Sequence, residues 1–371
     1  MKIALIHDYL IRFGGAERVF LNLVKIFPQA DIYTLLYDKE KMGKYFYKKR
    51  IRTSFLQNFP EFLKKRHKYL LPFLPSAPES IDLRNYDLII SSSSSFIKGV
   101  ITRPKAVHIC YCHSPMRFGW DAYTSYIKDQ KKGFLTNTAI RIMMHYVRLW
   151  DKSSSSRVDY FISNSKTTAQ RINKYYQRES KLIYPPVNIN QDKLEENYSN
   201  QKYFLIVSQL TPYKRIDIAI EAFNKLGLPL VIIGEGSEKR KLKRMAQKNV
   251  EFLGWQSDEI VKEYYRNCQA FIFSGEDDFG IAPVEAMSFG KPVLAFRKGG
   301  VTETVIEGVT GEFFDDLVSE SLAEGIRRLL LNYNNYSPLV IKKRAEKFSE
   351  ERFEREIKEF VIKVIEERKE L

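Results

Sequence analysis

The chain has 371 residues, and 44% of them are hydrophobic, so it is long enough and apolar enough for two or three domains that each bury a core. Its three cysteines argue against a disulfide framework and are typical of a reducing cytoplasm. The formal net charge of +15 comes from one half: residues 1–186 hold 32 Lys and Arg against 14 Asp and Glu, and residues 187–371 hold 28 against 31. A basic half indicates an anionic partner, which is a nucleic acid, an anionic lipid or a phosphorylated substrate.

The sequence contains no run of 18 apolar residues, so it predicts no membrane-spanning helix. Its first apolar stretch, residues 3–6, is too short for a signal peptide and is typical of a buried strand. We therefore expect the protein to stay in the cytoplasm.

Short apolar runs alternate with helical patterns along the chain, which predicts parallel sheets covered by helices. The strand patterns of the first half lie at residues 3–6, 31–35, 87–90, 107–111 and 160–164. The serine run 91–95 is expected to form a loop after the third of these strands. The strand patterns of the second half lie at residues 204–208, 230–234, 250–253, 270–274 and 292–296. The expected fold class is therefore α/β, with two Rossmann-like domains.

The domain boundaries follow from the same pattern. Tandem prolines at 185 and 186 indicate a linker over residues 184–188. We expect an N-terminal domain over residues 1–183 and a C-terminal domain over residues 189–349. A long charged helix with one apolar stripe is predicted over residues 350–371, and we expect it to pack back on the N-terminal domain.

Five predicted strand ends of the second half carry glycine, charge or an aromatic ring. Ligands in open parallel sheets bind beyond the carboxyl ends of the strands, so these five loops together predict a binding edge. The residues that follow the strands are Lys214 and Arg215, Glu235 and Gly236, Trp255, the run 276–280, and Gly299 and Gly300. Trp255 has two interpretations, as a neighbour of a nucleotide base or as a core side chain.

The segment EDDFGIAPVEAM, residues 276–287, predicts an anion site. Phe279 and Gly280 stand where a helix begins, and the amides at a helix start attract anions. Asp277 precedes Glu285 by eight residues, so one carboxylate is expected in the loop and the other in the helix. Such a pair suits sugar hydroxyls on either side of a diphosphate. The alternative is an acidic helix start with a surface glutamate.

This segment resembles the signature of glycosyltransferase family 4, in which two acidic residues separated by seven flank Phe-Gly and are followed by Glu-Ala-Met and Gly-Lys-Pro-Val. Asp277 and Glu285 match the acidic pair, although the family usually has glutamate at the first position. The resemblance implies the GT-B fold, with two Rossmann-like parallel-sheet domains facing a cleft. It also implies a retaining transfer from a nucleotide-diphosphate sugar that needs no metal and no other cofactor.

Two motifs of the first half match the family as well. Gly14 and Gly15 resemble its glycine-rich loop, which would approach a donor or acceptor phosphate. This loop lacks the G-x-G-x-x-G spacing, so no dinucleotide cofactor is expected. His113-Ser114-Pro115 resembles the family's His-x-Pro segment, which implies that His113 faces the transferred sugar. A structural hydrogen-bonding role is the alternative for His113, and His7 is a weaker candidate.

The segment SQLTPYKRID, residues 208–217, resembles the donor-phosphate segment of the family and places Lys214 on the diphosphate. Gln209 stands where the family usually has arginine, so Lys214 and Arg215 must balance the phosphate charge. A solvated basic pair at a helix start is the alternative. IGEGSE resembles the base side of the pocket, which implies that Glu235 and Gly236 lie near the nucleotide.

The predicted site therefore has a catalytic pair and a donor-binding set. The catalytic residues are His113 and Asp277, and the donor-binding residues are Gly14, Gly15, Lys214, Arg215, Glu235, Gly236, Phe279, Gly280 and Glu285. The segments HSPMRFGWD and PYKRID resemble those of mannosyltransferases that build cell-surface polysaccharide, which implies GDP-mannose as the donor.

Residues 44–75 mix lysine and arginine with aromatic and aliphatic side chains. Such a mixture is typical of segments that meet an anionic membrane, here as a peripheral protein at the inner face that reaches a glycan or lipid-linked acceptor. Ordinary helices with basic faces are the alternative. No nucleic-acid partner is expected, because no nucleic-acid-binding motif accompanies the charge.

Two other functions are alternatives to the transferase. The uncharged Gln209 leaves room for a catalytically decayed protein that binds an anionic ligand or nucleic acid. A nucleotide-sugar epimerase is the third hypothesis, since such enzymes share the two-domain plan.

Overall fold

The computed structural model describes residues 1–47, 49–65, 67–124, 127, 134–192 and 203–369. The chain forms two compact units. The first contains Met1–Tyr184 together with Phe353–Leu371, and the second contains Pro185–Arg352. Within the described ranges, no helix is long and apolar enough to cross a bilayer.

The first unit contains a seven-stranded parallel sheet in the order β3-β2-β1-β4-β5-β6-β7. Its strands are β1 (Ile3–Leu10), β2 (Asp31–Tyr37), β3 (Ile51–Thr53), β4 (Leu88–Ser93), β5 (Val107–Cys112), β6 (Tyr160–Ser163) and β7 (Ser180–Leu182). Its helices are α1 (Gly15–Ile26), α2 (Lys39–Met42), α3 (Glu61–Lys65), α4 (Ser76–Glu79), α5 (Phe134–Ser155) and α6 (Lys166–Tyr176). Short 3₁₀ turns lie at Phe55–Asn58, His67–Phe73 and Ile97–Gly99.

Both faces of the first sheet are buried, as parallel strands require. Alternate residues of β1 point to opposite faces: Ile3 and Leu5 join one apolar cluster, and Ala4 and Ile6 join the other. The first cluster also receives the last helix of the chain, α14 (Glu350–Lys369). Its apolar stripe packs there through Phe353, Ile357, Val361 and Val364.

The second unit contains a six-stranded parallel sheet in the order β10-β9-β8-β11-β12-β13. Its strands are β8 (Phe204–Val207), β9 (Leu230–Ile233), β10 (Val250–Gly254), β11 (Ala270–Phe273), β12 (Val293–Phe296) and β13 (Gly311–Phe314). Its helices are α7 (Ile216–Leu226), α8 (Lys239–Met245), α9 (Asp258–Asn267), α10 (Ile281–Ser288), α11 (Val301–Thr304), α12 (Ser319–Leu331) and α13 (Pro338–Glu346). Two parallel sheets with crossover helices confirm the predicted fold class.

The serine run corrects one expectation from the sequence. Residues 91–95 were expected to form a loop, but Ser91, Ser92 and Ser93 are the last three residues of β4 and are buried. They tolerate burial because residues on or directly after β5 supply hydrogen bonds: Ser91 Oγ pairs with His108 Nε2 at 2.8 Å, and Ser92 Oγ pairs with His113 Nε2 at 2.7 Å.

Candidate functional site

The sheet order of the second unit brings the five predicted loops to one edge. They follow β10, β9, β8, β11 and β12, which are consecutive neighbours in the sheet. Because all five strands are parallel, their carboxyl ends lie on the same side. The binding edge expected from the sequence is therefore a continuous row of loops within this unit.

Lys214 and Asp277, 63 residues apart in the chain, form an ion pair at this edge. The loops that carry them are held together by the Ser274 hydroxyl, which donates to the carbonyl of Lys214 at 2.9 Å. Gly275 permits the close approach, because a Cβ there would lie 2.7 Å from Lys214 Cα. The structure thus joins the predicted phosphate-binding cation to one of the predicted carboxylates.

The ion pair determines the charge state of the lysine. Burial lowers the pKa of the Lys214 ammonium, but Asp277 and then Tyr213 raise it, so the pKa lies above that of an ordinary lysine. Lys214 is therefore a fixed cation. Arg215 has a different partner from Lys214: its guanidinium donates a hydrogen bond to Asp217, at the start of α7, at 3.1 Å.

The loop after β11 leads into α10 through Gly280, which has a φ of 86° and is the N-cap of the helix. This left-handed conformation favours glycine. The loop after β12 packs on the loop after β11. The Gly300 amide donates to the Asp277 carbonyl at 3.0 Å, and Lys298 pairs with Glu276 at 3.2 Å. Phe279 points into the core, where it packs on Phe348.

Glu285 lies on α10, where it is half-buried, and accepts a hydrogen bond from the Tyr265 hydroxyl at 3.1 Å. Tyr265 is itself buried and stacks on Phe289. A carboxylate held by a tyrosine on a packed helix is positioned rather than solvated, which argues against the surface-glutamate interpretation.

The loops after β9 and β10 complete the edge. Glu235 forms an ion pair with Lys239 on α8. Gly236 lies against the next loop, since a Cβ there would meet the Leu210 carbonyl oxygen at 2.1 Å. Trp255 is 70% exposed, so the interpretation of Trp255 as a core side chain is wrong. Gln209 is also exposed.

In the first unit, His113 follows β5 and is linked to two neighbouring strands. Its Nε2 lies 2.7 Å from the Ser92 hydroxyl, which lies 3.0 Å from Nδ1 of His7. Glu17 on α1 places a carboxylate oxygen 3.5 Å from Nε2 of His7. Gly14 is the N-cap of α1, and Gly15 is the first residue of that helix.

Burial decides the charge of His113. Loss of water, and next the proximity of His7, lowers the pKa of His113 to about 3. The ring is therefore neutral near pH 7. A neutral imidazole offers one donor and one acceptor, which suits hydroxyl groups better than phosphate.

Asp8 is an organising residue that sequence reasoning missed. Its carboxylate accepts hydrogen bonds from four consecutive backbone amides, those of Ser94, Ser95, Phe96 and Ile97, at 2.6 to 3.0 Å. These bonds satisfy a buried carboxyl group and fix the turn after β4. The available signal was an acidic residue, Asp8, directly after the first predicted apolar strand.

Within segment 44–75, the described residues divide into two sets. Leu56, Leu70 and Leu74 are buried in the core of the first unit, as expected for ordinary structural elements. Tyr47 and Phe62 are 76% and 67% exposed, so the segment also presents aromatic rings to solvent beside its lysines.

Solved structures with this arrangement define the fold. HepE of Anabaena, solved with UDP, superposes with a TM-score of 0.69 at 20% identity, over 98% of this chain and 100% of that one. Sucrose-phosphate synthase of Thermosynechococcus elongatus gives a TM-score of 0.72 at 15% identity, over 98% and 99%. The chain has the GT-B fold of glycosyltransferases.

Sequence families give the same answer for each unit. Residues 13–191 match the model of "Glycosyltransferase Family 4", and residues 188–352 match that of "Glycosyl transferases group 1". The two matches together run through both units, and the chain belongs to the family 4 glycosyltransferases, as the sequence motifs indicated.

Among its relatives, glycosyltransferase MJ1178 of Methanocaldococcus jannaschii is 26% identical over 338 residues, which cover 90% of this chain and 89% of that protein. The alpha-1,3/1,6-mannosyltransferase ALG2 of Dictyostelium discoideum is 24% identical over 385 residues, which cover 86% and 87%.

Proposed function

We propose that this glycosyltransferase moves mannose from GDP-mannose to a glycan or lipid-linked acceptor, with retention of configuration. The named mannosyltransferase among its relatives favours mannose. The observation that carries the proposal is the edge of the second sheet, where Lys214, Asp277 and Glu285 lie on adjacent loops and a packed helix.

The proposed chemistry uses the groups at this edge together with His113 of the first unit. Lys214 leaves Asp277 and pairs with the donor diphosphate, whose negative charge grows as the sugar departs. Glu285 holds the nucleotide ribose, and Asp277 and His113 hold the sugar hydroxyls. The acceptor oxygen bonds to the anomeric carbon as the bond to the diphosphate breaks, and the acceptor proton passes to the departing phosphate oxygen.

The basic first unit is the proposed acceptor side. Residues 1–186 carry a net charge of +18, which suits a lipid diphosphate or an anionic membrane. Segment 44–75 adds exposed Tyr47 and Phe62. In this proposal the enzyme works at the cytoplasmic face of the membrane without spanning it.

Titration calorimetry tests the donor site. GDP-mannose should bind the wild-type protein more tightly than UDP-glucose does, and Glu285→Ala should weaken donor binding about 10- to 100-fold, the effect of a lost hydrogen bond to a charged group. Glu324→Ala is a matched control, because Glu324 is an exposed glutamate on α12.

A sugar-release assay with several nucleotide sugars tests the activity itself. Transfer to an acceptor supports the proposal, and preference for another sugar changes only the donor. No turnover with any donor, together with tight and salt-sensitive RNA binding, would favour the decayed binding protein instead. An epimerised nucleotide sugar formed without acceptor would favour the epimerase.

A further inference from the structure

Four polar side chains of the first unit form a line from a helix to His113. Glu17 lies on α1, His7 on β1 and Ser92 on β4, and His113 follows β5. These three strands are neighbours in the sheet. The separations are 3.5 Å from Glu17 Oε1 to His7 Nε2, 3.0 Å from His7 Nδ1 to Ser92 Oγ, and 2.7 Å from Ser92 Oγ to His113 Nε2.

The chemistry of the four groups gives this line a direction. A carboxylate accepts hydrogen bonds, so Glu17 favours the tautomer of His7 that carries its proton on Nε2, facing Glu17. Nδ1 of His7 then carries the lone pair and accepts from the Ser92 hydroxyl. The oxygen of Ser92 in turn accepts from Nε2–H of His113. The proton of His113 is thereby on Nε2, and its Nδ1 carries a lone pair.

We propose that Glu17, acting through His7 and Ser92, fixes His113 in the Nε2-protonated tautomer, so that Nδ1 accepts a hydrogen bond from a hydroxyl of the transferred sugar. Glu17, His7 and Ser92 are positioning residues, since each acts on the sugar only through His113. The sugar half of this inference rests on the proposed function, whereas the tautomer does not.

The surroundings of His113 agree with such a role. Burial holds the pKa of His113 at about 3, so its lone pair persists at neutral pH. Within the part of the chain that the structure describes, no protein group bonds Nδ1 of His113. The backbone is held on both sides, because the His113 amide donates to the Ser93 carbonyl at 2.8 Å and its own carbonyl accepts from Thr168 at 3.3 Å.

The rest of the line is equally fixed. His7 stacks on Phe20 with ring centroids 4.8 Å apart, which prevents a ring flip without repacking. A Cβ at Gly14 would lie 3.0 Å from Glu17 Oε2. Gly14 therefore leaves room for the carboxylate, a role that differs from the phosphate contact expected from the sequence.

Nuclear magnetic resonance of protein with ¹⁵N-labelled histidine tests the tautomer without any substrate. The chain has five histidines, so each signal can be assigned by single substitution. Long-range ¹H–¹⁵N correlations should show Nε2 protonated in both His7 and His113. Ser92→Ala should release His113 into a mixture of tautomers and leave His7 unchanged, whereas Glu17→Ala should affect both.

The control is Glu40→Gln, an exposed glutamate on α2 of the same unit, which should change neither histidine. Far-ultraviolet circular dichroism confirms that each variant is folded. Protonation of His113 on Nδ1 in the wild-type protein would overturn the proposal, as would an unchanged tautomer in folded Ser92→Ala.

Steady-state kinetics with deoxy analogues of the donor tests the role of the lone pair. The wild-type enzyme should lose at least 10-fold in kcat/KM with one deoxy sugar, the one that lacks the hydroxyl bound by His113. In Ser92→Ala this discrimination should fall to about 3-fold or less, with kcat reduced more than KM is raised. Equal discrimination by the two enzymes would overturn the hydroxyl contact, whereas absence of all transfer would overturn the proposed function and leave the tautomer result standing.

Discussion

The edges of the two sheets hold their polar groups in opposite ways. In the second unit, Lys214 and Asp277 are a cation and an anion, and their side chains remain 14% and 22% exposed. In the first unit, Ser92 and His113 are neutral and almost fully buried. A diphosphate requires charge, and charge is expensive to bury without partners. Hydroxyl groups require only neutral donors and acceptors, which a core can hold.

The two edges also differ in how they are assembled. Loops of the second unit meet backbone to backbone, because Gly275, Gly299 and Gly300 each lie where a Cβ would collide with another loop. In the first unit, the groups sit on or directly after adjacent strands, so the sheet register itself brings His7 and Ser92 together. The second edge depends on glycine, and the first depends on strand pairing.

The largest expected effect is a difference in acid sensitivity. All five histidines precede residue 146, so none lies in the second unit. Burial lowers the pKa of His108 to about 4 and that of His113 to about 3, against about 6.5 in an unfolded chain. Below pH 6.5 these histidines bind protons in the unfolded chain but not in the folded protein. The free energy of unfolding therefore falls as the pH falls. The loss is about 1.6 kcal/mol per histidine between pH 6.5 and 5.

Hydrogen exchange at pH 7 and pH 5 measures this difference unit by unit. Protection of amides in the first sheet should fall, whereas protection in the second sheet should not. His108→Gln should reduce the number of protons taken up on unfolding by about one. His145→Gln should not change that number, because His145 lies on an exposed part of α5. An equal loss of protection in both units would contradict the comparison.

Introducing a side chain at the second edge should have the next largest effect. In Gly275→Ala the new Cβ would lie 2.7 Å from Lys214 Cα and 2.8 Å from the Tyr213 carbonyl oxygen. The two loops must separate, so we expect a loss of about 1–3 kcal/mol in the free energy of unfolding and weaker donor binding. Urea unfolding and calorimetry measure the two effects.

Gly227→Ala is the matched control for this experiment. Gly227 has a φ of 66° and ends α7, but a Cβ there would meet nothing within 4 Å. The strained backbone should cost about 1 kcal/mol in stability and leave donor affinity unchanged. If Gly275→Ala behaves in the same way, the close approach of the loops does not matter for the site.

The parts of the site that sequence could predict are local ones. Gly280, as a helix start, and Glu285, five residues further on, follow from the spacing of glycine, proline and acid along one segment. The pairing of Lys214 with Asp277 does not, because 63 residues separate them and only the sheet order brings their loops together. Lys214 and Asp277 were assigned to different parts of the donor for that reason.

The strands, too, were predicted where the signal is local and missed where it is not. Apolar strands such as β9 and β11 were predicted to within one residue at each end. The prediction for β1, residues 3–6, was too short, because the strand continues through the polar His7 and Asp8 to Leu10. β3 and β7 have only three residues each and no alternating pattern to detect. Ser92 was placed in a loop because serine disfavours burial. The histidines of β1 and of the turn after β5, which are distant in sequence, supply the hydrogen bonds that reverse this preference.

A smaller effect separates sugar orientation from phosphate binding. Asp277→Asn removes the anion that raises the pKa of Lys214, and the diphosphate of bound GDP then supplies the negative charge beside the ammonium. GDP should bind as tightly as before or more tightly, since Asp277 no longer competes for Lys214. Transfer should fall about 10-fold through kcat, because the sugar loses one charged hydrogen bond. Calorimetry with GDP and steady-state kinetics measure the two.

Glu276→Gln is the companion variant, because Glu276 is the neighbouring carboxylate and pairs with Lys298 at 3.2 Å. It should change both quantities less than twofold. A larger loss of transfer in Glu276→Gln than in Asp277→Asn would show that the neighbouring acid, not Asp277, orients the sugar.

The smallest expected effect concerns the far end of the second edge. Trp255 is 70% exposed after β10, so Trp255→Ala should change the free energy of unfolding by less than about 0.5 kcal/mol. If the base of the donor stacks on this ring, GDP should bind about 5-fold more weakly to the variant, as expected for one base on one aromatic side chain. Inorganic pyrophosphate, which has no base, should bind both proteins equally. Equal losses for GDP and pyrophosphate would mean that Trp255 shapes the phosphate loops instead, and the second edge would then serve the diphosphate along its whole length.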